Sequence, residues 1–172
     1  KTKIQKIIFE GNDVFSDRKL TRQFGENKAW KWYMPWQGSW KKDLLQGDKE
    51  LLTTFYKNKG YRDFYIIDEN IHLTKNGKGY EITLNIYEGP QYKINNITWE
   101  GNYIHTNKEL SARLGLNKGD IYEDENFQIA ISERVSPLYT DAGYFYFQIN
   151  PIFTPVGKDS LNIHFIIVEN QI

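Results

Sequence analysis

Cysteine is absent from this chain of 172 residues, which excludes disulfides and thiolate-held metals and leaves its redox compartment open. No charge of one sign is in excess: 22 Lys and Arg face 22 Asp and Glu, so no net field steers the molecule toward nucleic acid or an anionic surface. Long apolar runs are missing as well; stretches such as Phe165–Val168 fall far short of a bilayer span. Residues 1–9 read as a strand rather than a leader, so a signal for an exported parent would lie outside this stretch.

Aromatic residues are plentiful, at 16% with 12 Tyr and 10 Phe. Four of the 5 tryptophans crowd into WKWYMPWQGSW, residues 30–40. The segment's surroundings become clear from an internal repeat. IQKIIFEGNDVFSDRKLTRQF (4–24) aligns with INNITWEGNYIHTNKELSARL (94–114) at a constant offset of 90. FYKNKGYRDF (55–64) aligns with LYTDAGYFYF (138–147) at 83, and LNIYEG with FIIVEN at 81. The first change of offset gives the first copy seven additional residues, and they fall in the tryptophan segment. That segment is an insertion into a fold the second copy builds without it.

Each copy has the same pattern. KIIFE and NITWE alternate as short strands, with Ile7/Phe9 and Ile97/Trp99 on one face. Gly-Asn breaks each strand, and Ser16 and Thr106 are expected helix N-caps, the latter with Glu109 as a capping box. A second helix is expected over about 41–58, its buried stripe formed by Leu44, Leu51, Leu52, Phe55 and Tyr56. Its counterpart spans about 124–141, with Phe127, Ile131, Val135, Leu138 and Tyr139 at helical spacing. Two strands joined by KNGKG or PVGKDS close each copy. The expected fold class is therefore α+β, with the order β-α-α-β-β twice: a domain over 1–89 with an aromatic insertion at about 28–40, and a domain over 90–172.

A strand ending in (F/W)EGN, a capped helix, a second helix ending in (F/L)Y before GY, and a closing V/Y-E-G/N strand resemble the POTRA (polypeptide-transport-associated) domain. Tandem copies are similar to the periplasmic arm of BamA-type outer-membrane β-barrel assembly factors. The resemblance covers essentially the whole chain, and the seven-residue insertion departs from its minimal pattern. It implies a three-stranded mixed sheet in each domain, with the third strand between the first and the second and two helices on one face. It also implies a periplasmic, non-catalytic module tethered to the outer membrane by a C-terminal β-barrel of the parent. The implied partners are unfolded β-barrel precursors, accessory assembly lipoproteins, the parent barrel and a membrane surface, with no nucleic acid and no cofactor. POTRA domains of a two-partner secretion or translocation-and-assembly transporter are the alternative. In that topology the second strand is a sheet edge whose unpaired backbone can take on a partner strand. The expected edge residues in the first domain are Phe64, Tyr65, Ile66, Ile67, Asp68 and Ile71. The corresponding second-domain strand contains Pro151, so the first domain is expected to be the better acceptor.

For the insertion, three readings stand: a local core cap, an exposed docking patch, or a membrane-interface contact, with Trp30, Trp32, Tyr33 and Trp36 as the interacting residues. His72, His105 and His164 have no spacing that suggests a shared metal. The acids of GDIYEDEN (119–126) lack the glycine and spacing of a calcium loop and are expected to complement a helix N-terminus. No serine sits in a nucleophile elbow, so no enzymatic activity is expected.

Overall fold

The computed structural model describes residues 3–29, 31 and 38–170. The chain divides into two compact units, residues 1–57 with 63–89, and residues 58–62 with 90–172.

The first unit runs β1 (Lys3–Glu10), α1 (Asp17–Thr21), α2 (Leu45–Lys57), β2 (Tyr65–Leu73) and β3 (Gly79–Tyr87). The second runs β4 (Lys93–Glu100), α3 (Asn107–Leu114), α4 (124–140), β5 (Gln148–Val156) and β6 (Ser160–Val168). Each sheet is mixed: β1 is parallel and β2 antiparallel to a central β3, and β4 and β5 flank β6 in the same way. Alternation along the central strands buries Ile82, Leu84 and Ile86 in one unit and Leu161, Ile163, Phe165 and Ile167 in the other.

The helices differ from expectation in instructive ways. A 3-10 turn at Lys42–Leu44 precedes α2, whose buried face is Leu45, Asp48, Leu52 and Tyr56. Leu44 and Leu51 are exposed instead, because the buried stripe runs at spacings of three and four from Leu45. The helix α4 is interrupted by a π turn at Ala130–Val135, directly before its last segment, Ser136–Thr140. Pro137 in that segment has no N–H for the preceding turn, and the wider turn accommodates the loss. Thr106 and Glu109 form the expected capping box, and the donors of Thr106, its backbone N–H first, hold the Glu109 carboxyl below its ordinary pKa. Ser16 occupies the N-cap position of α1 without a side-chain hydrogen bond.

The repeated EGN and terminal glutamate meet at one node in each unit. Gly11 and Gly101 have φ of 88° and 81°, and a Cβ at either position would collide with the carbonyl oxygen of Ile86 or Ile167. Asn12 donates to Phe15 O and to Asp17 Oδ1, both at 2.8 Å, and Asn102 donates likewise to His105 O and Asn107 Oδ1. The loops so shaped aim two backbone N–H groups at a carboxylate just beyond the central strand. Glu88 accepts from Asp13 N at 3.0 Å, from Val14 N at 3.1 Å and from the Tyr56 hydroxyl at 2.7 Å. Glu169 accepts from Tyr103 N, Ile104 N and the Tyr139 hydroxyl at 3.1, 3.2 and 3.0 Å. Burial, then the hydrogen bond to Glu169 and its charge, push the Tyr139 hydroxyl above the ordinary phenol pKa, so it remains a donor. Stacking supports both tyrosines, Tyr56 on Phe64 at 4.0 Å and Tyr139 on Phe147 at 4.9 Å between ring centroids.

The described ends of the insertion are clamped. Asp48, buried in the first turn of α2, accepts from the backbone N–H of Gly25, Glu26 and Asn27 at 2.7, 2.9 and 2.9 Å, and from Asn27 Nδ2 at 2.8 Å. Asn27 in turn pairs with the backbone of Lys41, donating to its O at 3.1 Å and accepting from its N at 3.0 Å. Gly38 O accepts from Ile4 N at 2.6 Å, which ties the returning arm to β1. Trp40 is half-buried against Tyr80.

Truncating Glu88 to Ala strands two backbone donors in the first unit and should cost about 2–4 kcal/mol of unfolding free energy in urea melts. The same change at Glu169, which is less buried, should cost about 1–2 kcal/mol, so the order Glu88→Ala above Glu169→Ala is the checkable point. Asp48→Ala should accelerate hydrogen exchange at Gly25, Glu26 and Asn27 by roughly tenfold or more, while amides of β3 keep their protection.

Candidate interaction surfaces

Each sheet has two edges, and they are not equivalent. The first strand of each unit is covered at its start by the link between the two helices. In the first unit, Lys3 bridges Ser39 and Ile4 N binds Gly38 O; in the second, Lys93 bridges Ile121 and Ile94 N binds Asp120 O. Among the described residues β2 and β5 have no strand on their outer sides.

The outer edge of β2 can be assigned residue by residue. Thr74 N donates to Gly79 O at 2.8 Å, so Thr74 and Gly79 are a hydrogen-bonded pair. Because such pairs alternate along an antiparallel ladder, His72, Asn70 and Asp68 also turn their backbone toward β3. Leu73, Ile71 and Glu69 therefore turn N–H and C=O outward. The register slips by one between Ile66 and Asp68, leaving Ile67 as the additional residue of a bulge. The regular pairing surface thus runs from Glu69 to Leu73.

This redistributes the expected edge residues. Phe64 lies one position before β2, buried and stacked on Tyr56; it belongs to the core, because its aromatic ring completes the packing under Glu88. Tyr65 and Ile66 precede the bulge, with Tyr65 exposed beside Tyr87 at a ring-centroid distance of 5.3 Å. Ile67 is the bulge residue, 56% exposed, and Asp68 bonds through its side chain to Asn85. Ile71 alone of the six lies in the outward-facing regular run. The expected set does not include Glu69 or Leu73. The sequence carries no clear sign of them, since residues 64–67 are apolar or aromatic at both parities and so leave the register of the strand open.

Charges on this edge are engaged rather than bare. Glu69 pairs with Lys49 of α2 at 2.8 Å, which draws the carboxylate over the helix-covered face and away from the edge. On β5, by contrast, the register to β6 is unbroken and two prolines, Pro151 and Pro155, share one parity. A proline is tolerated in a strand where its missing donor faces outward, so the outer edge of β5 lacks the donors at both positions.

Trp30, Trp32, Tyr33 and Trp36 lie outside the described residues. His164 contacts Glu100 at 3.0 Å and Thr98 at 2.7 Å, His72 faces Glu81 at 3.4 Å, and His105 packs edge-on against Tyr139. Among the described residues no cluster of His, Asp and Glu could hold a metal ion, and no helix is long and apolar enough to cross a membrane. Of the acids in 119–126, Asp124 and Glu125 occupy the first turn of α4, while Asp120 accepts from Asn117 N.

The family model for POTRA, described as "Surface antigen variable number repeat", matches residues 2–89 and again 92–170. The outer membrane protein assembly factor BamA of Neisseria meningitidis is 32% identical over 151 residues, which are 86% of this chain and 19% of that protein. A putative outer membrane protein assembly factor of Treponema pallidum is 26% identical over 149 residues, 83% of this chain and 17% of the other. The chain therefore spans about a fifth of the length of these relatives. Among solved structures, POTRA domains 3–5 of Haemophilus influenzae BamA superpose with a TM-score of 0.73 at 19% identity, over 99% of this chain and 67% of that one. Haemophilus ducreyi BamA lacking POTRA domains 1–3 gives 0.68 at 17% identity, over 98% and 29%. With the β-α-α-β-β order and the mixed sheet found in both halves, the chain belongs to the POTRA family, as two domains in tandem of the kind that BamA-type assembly factors carry.

Proposed function

We propose that these two domains, residues 1–89 and 90–172, form a non-catalytic periplasmic module of an outer-membrane protein assembly factor, tethered through the parent's β-barrel, and that the first domain captures extended segments of unfolded β-barrel precursors or accessory subunits by strand addition along β2. The observation that carries this reading is the outward backbone of Glu69, Ile71 and Leu73 on an edge with no proline. Main-chain pairing suits clients of many sequences, since each added hydrogen bond contributes about 0.5–1.5 kcal/mol whatever the side chain. Ile67 and Leu73, both exposed at the two ends of this run, offer apolar contact to the added strand. The bulge at Ile67 ends the pairing surface on one side and the hairpin at Thr74 ends it on the other. Trp30, Trp32, Tyr33 and Trp36 of the clamped insertion serve in this reading as a second, aromatic docking surface for a partner protein.

An extended peptide of alternating apolar and polar residues, patterned on a membrane β-strand, should slow amide exchange at Glu69, Ile71 and Leu73 and leave β5 unchanged. Equal protection of both edges, or none at 69–73, defeats the proposal. Leu73→Pro, which removes an outward donor while leaving the ladder to β3 intact, should abolish that protection in a chain whose circular dichroism is unaltered.

For the aromatic segment, an aqueous quencher should reach tryptophan emission readily in the free chain and less so with a partner lipoprotein bound. Emission that is already shielded in the free chain would assign the segment to the core instead.

A further inference from the structure

The outer side of α2 carries a pattern that neither the core nor strand capture uses. Leu44, which closes the 3-10 turn, is followed by Gly47, Leu51 and Thr54 of α2 at steps of three, four and three. All four are exposed, Leu44 at 43% and Leu51 at 48%. Such steps are the a and d positions of a heptad, the narrow seam along which one helix packs on another. A groove of about 400 Å³ opens along it, lined by Leu44, Leu51, Gly25 and Gly47. Its charged lining is acidic throughout, from Glu26, Asp43 and Asp48. Asp48 is engaged by the backbone of residues 25–27 and Glu26 by Lys41, while Asp43 makes no ion pair among the described residues. Gly47 is the informative residue. A glycine inside a helix costs stability relative to alanine, and nothing in the fold requires this one. Its φ is not positive, and a Cβ built on it would meet no atom within 4 Å. At Gly25, also without a positive φ, a Cβ would come 3.2 Å from Leu51 Cδ1, so the missing side chain keeps that wall of the groove open.

We propose that this seam seats one amphipathic α-helix of a partner protein, flanked by lysine or arginine and crossing α2 at Gly47. With no side chain at Gly47 two helix backbones approach closely, and an apolar residue of the partner enters between Leu44 and Leu51. Asp43 and Glu50, seven residues apart, hold the same flanking position of successive heptads, and both are exposed. Charges at that position choose the partner, so the complementary helix carries cations opposite them. The same acids disfavour a second copy of this chain. An antiparallel pair would set Asp43 and Glu50 of one copy against those of the other. Lys49, which reaches Glu69 of β2, lies off the seam, so helix docking and strand capture can fail independently.

The probe is a synthetic helical peptide of about three heptads, with leucine at a and d and lysine at the flanking positions, beside a twin in which glutamate replaces each lysine. Added to the nitrogen-15-labelled chain of 172 residues, the lysine peptide should shift the amide resonances of 43–54 and leave those of 69–73 in place. The glutamate twin should bind on the order of tenfold more weakly. Gly47→Gln fills the seam with a better helix former, so the thermal midpoint should hold or rise while affinity for the lysine peptide falls roughly tenfold or more. Leu51→Ala, at an exposed position, should give a second loss of roughly fivefold. Asp43→Asn with Glu50→Gln should bring the two peptides to equal affinity. No binding of the lysine peptide, equal binding of the twins to the parent chain, unchanged binding by Gly47→Gln, or shifts confined to other residues overturns the proposal. So does a dimer of the free chain in sedimentation equilibrium that Gly47→Gln dissolves, which would give the seam to a second copy.

Discussion

A single carboxylate in each domain joins three segments that are distant in sequence. Glu88 follows the central strand, yet its oxygens take the loop after β1 and the last turn of α2. Glu169 repeats the arrangement with the loop after β4 and with Tyr139. The loop donors are backbone N–H groups that neither helix nor sheet pairs, and in the first domain, where these bonds are partly buried, leaving them without an acceptor costs more than a hydrogen bond contributes. Several other repeated residues serve this contact. Gly11 and Gly101 pass the backbone close to the neighbouring strand, Asn12 and Asn102 turn the loop, and the stacked tyrosines deliver a hydroxyl. The node ties the helix pair to the sheet, and among the described residues β2 and β5 are left as edges with no strand beyond them.

The architecture was legible because the repeat gave two independent versions of one pattern: alternation in the strands, helical spacing in the helices, and glycine-asparagine breaks at equivalent places. What escaped was register. In β1 the buried residues are Ile4, Ile7 and Phe9, and in β4 they are Ile94 and Trp99 with Ile97 half-buried against them, so each strand changes parity after its first core residue. The ladders accommodate this with slips between Ile4 and Lys6 and between Ile94 and Ile97. A separate slip in β2, between Ile66 and Asp68, leaves Ile67 as the bulge residue and removes Asp68 from the outward-facing set. Leu44 and Leu51 were misassigned for a related reason. Their hydrophobicity fits a helical stripe, but the face is decided by Asp48, whose burial is made favourable by four donors arriving from a distant loop. A pattern of apolar residues carries no sign of such a partner.

The two edges differ in kind as well as in degree. On β5 the chain keeps an unbroken register and loses donors at Pro151 and Pro155, which blunts an edge at no cost to the inner ladder. On β2 it keeps the donors and limits the run with a bulge. An edge shortened by a bulge still pairs with a segment of a few residues but offers no long flat template to a second copy of itself.

The insertion follows the same logic of anchoring backbone before presenting side chains. In the second domain the link between helices is short, and it simply pairs Asp120 and Ile121 with the start of β4. In the first domain the returning arm makes the equivalent contact through Gly38 and Ser39, so the additional residues are carried between two fixed points. Asp48 holds the outgoing arm, Asn27 bridges to Lys41, and the Lys41 ammonium pairs with Glu26 across the same neck. Both described ends of the insertion are thus held through backbone hydrogen bonds. Fixing both ends through backbone lets the first domain carry additional residues that the second copy does without, while the contact of the helix link with the first strand stays the same in both.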